Sequence, residues 1–537
     1  MRRFVCFVCT GLLATTALAQ SPGKTRFEIT IPAAARDTPL TGRVFVAIAR
    51  GDEPEPRLQI DRTGTPFFGR DVTALPPGRA ATIDGSDLGY PVEALRRIPA
   101  GDYYVQAIVS VYSAFRRADG HTVWMHDDQW EGQRFEISPG NLYSRPQRVH
   151  LDPAAGYAIR LTADQRIPPV QVPPDDRWVK RFKIESPLLT KFWGRPVYIG
   201  ATVLLPRDYD RETISYPVDY IQGHFSLRAP LGFAPMPGNA AYDAWTGDDF
   251  PRVVVVTFQH PTPYFDDSYA VNSVNVGPYG DAILQELIPE IERRFRVIEQ
   301  PWARWLSGGS TGGWEALALQ IFHPDFFGGT WAYCPDPVTF TNVEGVDFYH
   351  DTNAFYKDHG WFTVPTPNTR ETDGQIRLMS DQRNRFELAR GTHGRSGEQI
   401  DVWSATWGPL GADGYFQSAF DKATGVIHPA VVQYWKEHFD LLYDLQQHWT
   451  TLGPKLADKL HVYQGDMDNF YLNVAVKQLQ AWMETTENPH DPGYFVYGDG
   501  YGHCFAGPGG QLARLRDMAE YGLRHKPEGT TTPWWRY

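Results

Sequence analysis

The chain reads as an α/β protein, a mostly parallel sheet flanked by helices, with an all-β domain in front of it. Three observations point there. Residues from about 24 to 165 carry short alternating β segments separated by loops rich in Pro, Gly and Asp. The proline-rich run Ile167 to Pro174 then reads as an extended linker. Beyond it, apolar strand-like runs alternate with helical spacing. The chain divides accordingly into residues 1–19, a β-sandwich domain over 24–165, a linker over 166–176 and an α/β domain over 177–525.

The first segment reads as a signal peptide. Arg2 and Arg3 supply a positive start, Phe4 to Leu18 is mostly apolar, and Ala17-Leu18-Ala19 offers a small-x-small cleavage pattern. No later stretch reaches the roughly 18 apolar residues that a membrane span needs. Export to the periplasm or medium is therefore expected, with Gln20 as the first mature residue. Losing Arg2 and Arg3 leaves 49 cations against 63 acids and moves the formal charge from −12 to −14. That balance excludes nucleic acid and an anionic membrane surface as partners. Of four cysteines, Cys6 and Cys9 leave with the signal, so Cys334 and Cys504 remain as an even pair in a disulfide-permissive compartment. No Cys/His spacing calls for a metal, and no cofactor is implied.

In the all-β part, Arg26–Ile31 and Arg43–Ile48 alternate cleanly, and Tyr103–Val109 is a mostly apolar run. After the linker, Val179–Glu185 and Arg195–Leu205 form an opening strand pair. Val218–Ile221 and Val253–Phe258 are apolar strands, the second continuous enough for burial on both faces. Tyr279–Phe295 has helical spacing, with Ile283, Leu287, Ile288 and Ile291 on one side. Trp302–Leu306 is the next strand. His428–Leu456 reads as helix.

The chemistry begins at the end of that strand. Ser307-Gly308-Gly309-Ser310-Thr311-Gly312-Gly313 leads into the helix-like Trp314–Leu319. This is Gly-x-Ser-x-Gly between a strand and a helix, where a serine on a tight turn stands above the sheet edge. Flanking backbones approach closely at Gly308 and Gly312, and the helix N-terminus favours developing negative charge. A nucleophilic serine needs a base, and the base needs an orienting acid. Leu460–Gln464 is a short strand ending in Gly465-Asp466-Met467-Asp468-Asn469, with Asp468 favoured as the acid and Asp466 as a cap for the following helix. The last strand, Gly493–Tyr497, runs into a glycine-rich loop that carries His503, the candidate base.

These residues carry a family resemblance. Residues of roughly 176 to 520 resemble the putative-esterase family of α/β hydrolases, which includes esterase D, feruloyl and acetylxylan esterases, siderophore esterases and mycolyltransferases. The matching stretches are Asn272–Pro278, the Ser310 turn, Gly465–Tyr471 and Gly502-His503. The resemblance implies an α/β-hydrolase fold and a Ser310–His503–Asp468 triad acting on acyl esters, without choosing the substrate. Two departures stand out. Family members carry His-Gly after the third strand, and the next N–H completes an oxyanion hole. Here the order is Gly223-His224-Phe225, and counting from Pro217 assigns that donor to Phe225, paired with the N–H of Thr311. In addition, about 125 residues separate Cys334 from Leu460, which implies a large insertion after the sixth strand, about 339–457. Its many aromatics, from Phe348 to Tyr415, suit either an ordinary cap with its own core or a lid over the pocket.

The expected reaction is two-step acyl transfer from a small-molecule or glycan-linked ester to water. Two alternatives use the same residues differently: an acyltransferase with a sugar or lipid hydroxyl as acceptor, and a non-catalytic surface-binding protein. A peptidase ranks third, since the β domain does not resemble a propeller. Cys334 ends the strand after the serine's helix and Cys504 follows His503, so both lie at the carboxyl edge of the sheet and a disulfide between them is expected. Some tannase and feruloyl esterase relatives bridge cysteines flanking the serine and the histidine. Here Gly309 precedes Ser310, so the bridge is shifted.

Overall fold

The computed structural model describes residues 25–535; the expected signal peptide lies outside the described residues. The α/β part is one eight-stranded sheet. Its strands are β1 (Val179–Glu185), β2 (Tyr198–Leu204), β3 (Val218–Gln222), β4 (Val254–Gln259), β5 (Arg304–Gly309), β6 (Gly329–Tyr333), β7 (Leu460–Gly465) and β8 (Tyr494–Gly498). They lie side by side in the order β1-β2-β4-β3-β5-β6-β7-β8. Only β2 runs against its neighbours; from β4 to β8 every pairing is parallel. Strands β4 and β5 are buried along nearly their whole length, which is why they read as continuous apolar runs rather than alternating ones. Parallel neighbours place their carboxyl ends on one edge, and the loops after β3, β5, β6, β7 and β8 all meet there.

In front of this sheet, a three-stranded sheet of Arg26–Thr30, Ala80–Ile83 and Ala158–Thr162 packs on a larger one that includes Leu40–Ala49, Phe67–Leu75 and Gly101–Arg116. Phe27 and Ile29 from the small sheet share a core with Val44, Val46, Val105 and Ala107 from the large one. Residues 26–30 and 158–162 pair in parallel, so the beginning and end of this region lie side by side.

The long segment between β6 and β7 holds two small hairpins and the helices Ser380–Arg390, Gln399–Trp407, Pro429–Phe439 and Leu441–Leu456. The single helix expected over 428–456 is two. Asp440 breaks it, because its buried carboxylate accepts the Tyr443 N–H at 2.7 Å and the Phe340 N–H at 2.9 Å and so caps the second helix. Phe348, Trp403 and Trp407 join the main core, whereas Trp361 at a hairpin tip is almost fully exposed. The helix 380–390 also wedges against the all-β part. Phe386 packs edge-on to Phe67 and Tyr90, and Arg390 meets Glu136 at 2.5 Å in a buried ion pair.

Candidate active site

Ser310 sits between β5 and the helix Thr311–Phe322 with φ 58° and ψ −122°, a conformation that only a tight, over-determined turn sustains in a non-glycine residue. The turn is held by the Ser310 N–H donating to the Tyr333 carbonyl at 3.1 Å. The flanking glycines are sterically required. A Cβ on Gly308 would lie 2.2 Å from the Gly312 carbonyl oxygen, and one on Gly312 would lie 2.1 Å from that of Gln222. A Cβ on Gly309 would lie 2.0 Å from the Tyr333 ring, so no cysteine fits directly before the serine.

His503 Nε2 is 3.0 Å from Ser310 Oγ, and His503 Nδ1 is 2.8 Å from Asp468 Oδ2. Asp468 is fully buried, and its oxygens also accept from the Phe470 N–H at 2.8 Å, the Leu472 N–H at 3.3 Å and Gln464 Nε2 at 3.2 Å. The next helix, Leu472–Met483, has Tyr471 at its cap position, so Asp466 does not take the capping role expected of it. Asp466 instead accepts the Gly500 N–H at 2.8 Å and ties down the loop that carries the histidine. Asn469 Oδ1 takes the His503 N–H at 2.8 Å, and the Phe470 ring packs edge-on against the imidazole at 4.8 Å. Burial opposes charge on His503, but the Asp468 hydrogen bond and the adjacent Cys504 outweigh it and push its pKa up to about 10.

The other side of the serine is more densely built. Asp336 Oδ1 lies 3.3 Å from Ser310 Oγ, so one hydroxyl proton has two acceptors, His503 and Asp336. The Asp336 Oδ2 atom accepts from the Tyr269 hydroxyl at 2.5 Å, the Thr311 hydroxyl at 3.0 Å and Trp403 Nε1 at 3.3 Å. His224 Nε2 is 3.2 Å from Thr311 Oγ1, and its Nδ1 is 3.2 Å from Asp266 and 3.5 Å from Asp267. The His224 side chain is 45% exposed; surrounding protein works against its charge, yet Asp266, Asp267 and Asp336 prevail and push its pKa up to about 10. Burial raises the pKa of Asp336, while Tyr269, His224, His503 and Thr311 restrain the rise.

One expectation needs correction. The Phe225 N–H donates to the Asp266 carbonyl at 3.3 Å and the Phe225 ring turns to Trp130, so this residue is not a free oxyanion donor. Pairing of His224 with Asp266 and Asp267 draws the loop so that His224, not Phe225, abuts the serine's turn. The Thr311 N–H, at the first helical position, has no acceptor among the described residues. The two cysteines expected to pair are neighbours but unbonded here: Cys334 and Cys504 are thiols with sulfurs 2.8 Å apart, where a bond requires about 2.05 Å. Burial raises the Cys334 pKa, and hydrogen bonds from Cys334 and His503 lower that of Cys504.

Beside the triad lies a cavity of about 800 Å³ between the all-β part and the insertion, sharing Asn469 and Phe470 with the histidine's surroundings. Thr63 and Arg134 line one wall, Thr369 and Thr372 the other. Sequence reasoning found Ser310, Asp468 and His503, and the structure brings the three together. It missed Asp336 and Tyr269, which carry no motif and reach the site from separate loops, and it read His224 only as a departure in the oxyanion loop.

An eight-stranded sheet in this order, with a serine on a strand–turn–helix and an acid and a histidine after β7 and β8, defines an α/β-hydrolase-like fold. Residues 198–387 match the sequence profile of the family described as "Putative esterase". Among solved structures, a ferulic acid esterase is 15% identical over 60% of this chain and 90% of its own, with a TM-score of 0.35. The S-formylglutathione hydrolase from Agrobacterium tumefaciens is 12% identical over 64% of this chain and 94% of its own, with a TM-score of 0.34. No curated protein matches the chain.

Proposed function

We propose that this chain is an exported serine ester hydrolase in which Ser310 is the nucleophile, His503 the base and Asp468 the acid that orients it. The observation that carries the reading is the relay of 3.0 Å and 2.8 Å contacts from Ser310 Oγ through His503 to Asp468. His503 takes the serine proton as Oγ attacks the ester carbonyl. Asp468 holds the ring and stabilises the imidazolium, which then protonates the leaving alcohol. Water repeats the sequence on the acyl-enzyme and releases the acid. The Thr311 N–H, which has no acceptor among the described residues, receives the oxyanion, where a donor fixed in advance contributes most to rate. The cavity shared with Asn469 and Phe470 takes the rest of the substrate, and its mixture of hydroxyls, charge and two aromatic rings, Phe386 and Phe470, suits a small-molecule or glycan-linked ester.

Two features follow from export. The mature chain begins at Gln20, which N-terminal sequencing of secreted protein tests. Cys334 and Cys504, already neighbours, close to a disulfide in that compartment, with two protons and two electrons passing to its thiol-oxidising machinery. Thiol alkylation without prior reduction is the check, and two labelled cysteines would contradict it. For the activity itself, p-nitrophenyl acyl esters, methyl ferulate, acetylated xylan and a catecholate siderophore form the screen. Hydrolysis of at least one, lost in Ser310→Ala, is expected; a fully active Ser310→Ala protein would refute the mechanism.

A further inference from the structure

Behind His224 lies a group of buried polar side chains that ester hydrolysis leaves without a task. His260 directly follows β4, Asp267 lies in the same loop, and Glu315 is in the helix that follows Ser310. None is more than 2% exposed. One donor atom from each lies within 4.8 Å of the other two. His260 Nδ1 is held by Ser268 Oγ at 2.9 Å. Its Nε2 has no hydrogen-bond partner among the described residues, and the Glu315 carboxyl group meets only that of Asp267, whose Oδ2 is 3.5 Å from His224. Buried polar atoms are nearly always satisfied, so an unpartnered imidazole nitrogen beside two adjoining buried carboxyl groups calls for an explanation.

Charge points the same way. Four carboxyl groups gather here: Asp266 and Asp267 lie 3.2 Å and 3.5 Å from His224, Asp267 is also 3.8 Å from His260, and Glu315 and Asp336 adjoin them. No lysine or arginine pairs with any of the four among the described residues. Buried negative charge in excess is answered either by protons or by a cation.

We propose that His260, Asp267 and Glu315 bind one divalent transition-metal cation of the zinc type. One imidazole with two carboxylates is a borderline donor set that suits zinc or manganese and excludes soft-metal chemistry. The Ser268 hydroxyl at 2.9 Å fixes the His260 ring through Nδ1, the nitrogen that also lies 3.8 Å from Asp267 Oδ1. The cation would not touch the ester. It would fix Asp267 and through it His224, so its role is to position the wall beside the serine. This inference does not depend on the hydrolase reading, because metal content and stability test it without any turnover.

The test uses the full mature chain, expressed with zinc and manganese supplied and measured by elemental analysis. About one equivalent of metal per chain is expected. Stripping with a chelator should lower the melting temperature by about 5 °C or more, and zinc alone should restore it. Glu315→Gln is the deciding variant, since glutamine mimics a protonated glutamate. If the cation neutralises the cluster, Glu315→Gln loses both the metal and the chelator-sensitive part of the melting temperature. If a shared proton does so, wild-type protein is metal-free and Glu315→Gln melts like it, which overturns the proposal. Metal retained at full stoichiometry in both Glu315→Gln and His260→Ala would place the ion elsewhere and overturn it equally.

Discussion

The two sides of Ser310 are built from the same kinds of residue and do different work. On one side a single carboxylate, Asp468, faces a single imidazole, His503, and the pair rests on a turn tied by backbone donors. On the other, Asp336 collects hydroxyl and indole donors from three separate segments, and His224 is clasped by two further carboxylates. The first side leaves the imidazole facing the serine, able to take its proton and give it back. The second is saturated: each donor aimed at Asp336 is already committed, so it holds shape rather than moving protons. Identical side chains acquire distinct roles through which partners they have: Asp468 holds an imidazole, whereas Asp336 holds hydroxyls and an indole.

Several substitutions sharpen this comparison, beginning with the largest effect. Ser310→Ala should lower kcat/KM by about 10^4-fold or more and leave the melting temperature nearly unchanged. Asp468→Asn should approach the same loss, about 10^4-fold, because the imidazole loses the partner that sets its tautomer. Asp336→Asn should cost within about tenfold, since it removes charge from a wall rather than from the base's partner. Steady-state kinetics on one p-nitrophenyl ester measure all three. Equal losses in Asp468→Asn and Asp336→Asn would erase the distinction between the two sides.

A pH profile tests the same contrast through His503. The base must be neutral to accept the serine proton, so raising its pKa moves the rising limb of kcat/KM to higher pH. Asp468 and the Cys504 thiol both favour the protonated ring. Joining Cys504 to Cys334 removes the second influence and leaves the first. Oxidised enzyme should therefore gain activity at a lower pH than enzyme kept reduced. Coincident limbs in the two states would show that Cys504 does not reach the base.

The smallest expected effect belongs to the insertion. Trp403→Phe removes the indole N–H that reaches Tyr269 at 2.6 Å and Asp336 at 3.3 Å. A loss of about 1–2 kcal/mol in stability, read by denaturant unfolding, with a modest change in rate is expected. A collapse of activity comparable to Asp468→Asn would make the insertion part of the reacting machinery.

The sequence disclosed the side of the serine that depends on local rules. Gly308 and Gly312 are readable because two backbones meet there, and the order Ser310, Asp468, His503 follows the sheet's strand order. The break at Asp440 was hidden because a capping aspartate inside a long apolar-periodic run resembles a surface residue of that helix. Phe225 was misassigned by counting, since spacing cannot register that Asp266 and Asp267 pull His224 toward the serine. Asp336, Tyr269 and the His260–Asp267–Glu315 group are assembled only by folding, and no spacing in the chain announces them.

The most direct measurement is labelling with a fluorophosphonate, which reacts only with a serine whose proton a neighbouring base removes. The account predicts one label per chain, found on the peptide containing Ser310 and lost in Ser310→Ala and in His503→Ala. Absence of label in wild-type protein at alkaline pH, or label on any other residue, would contradict it.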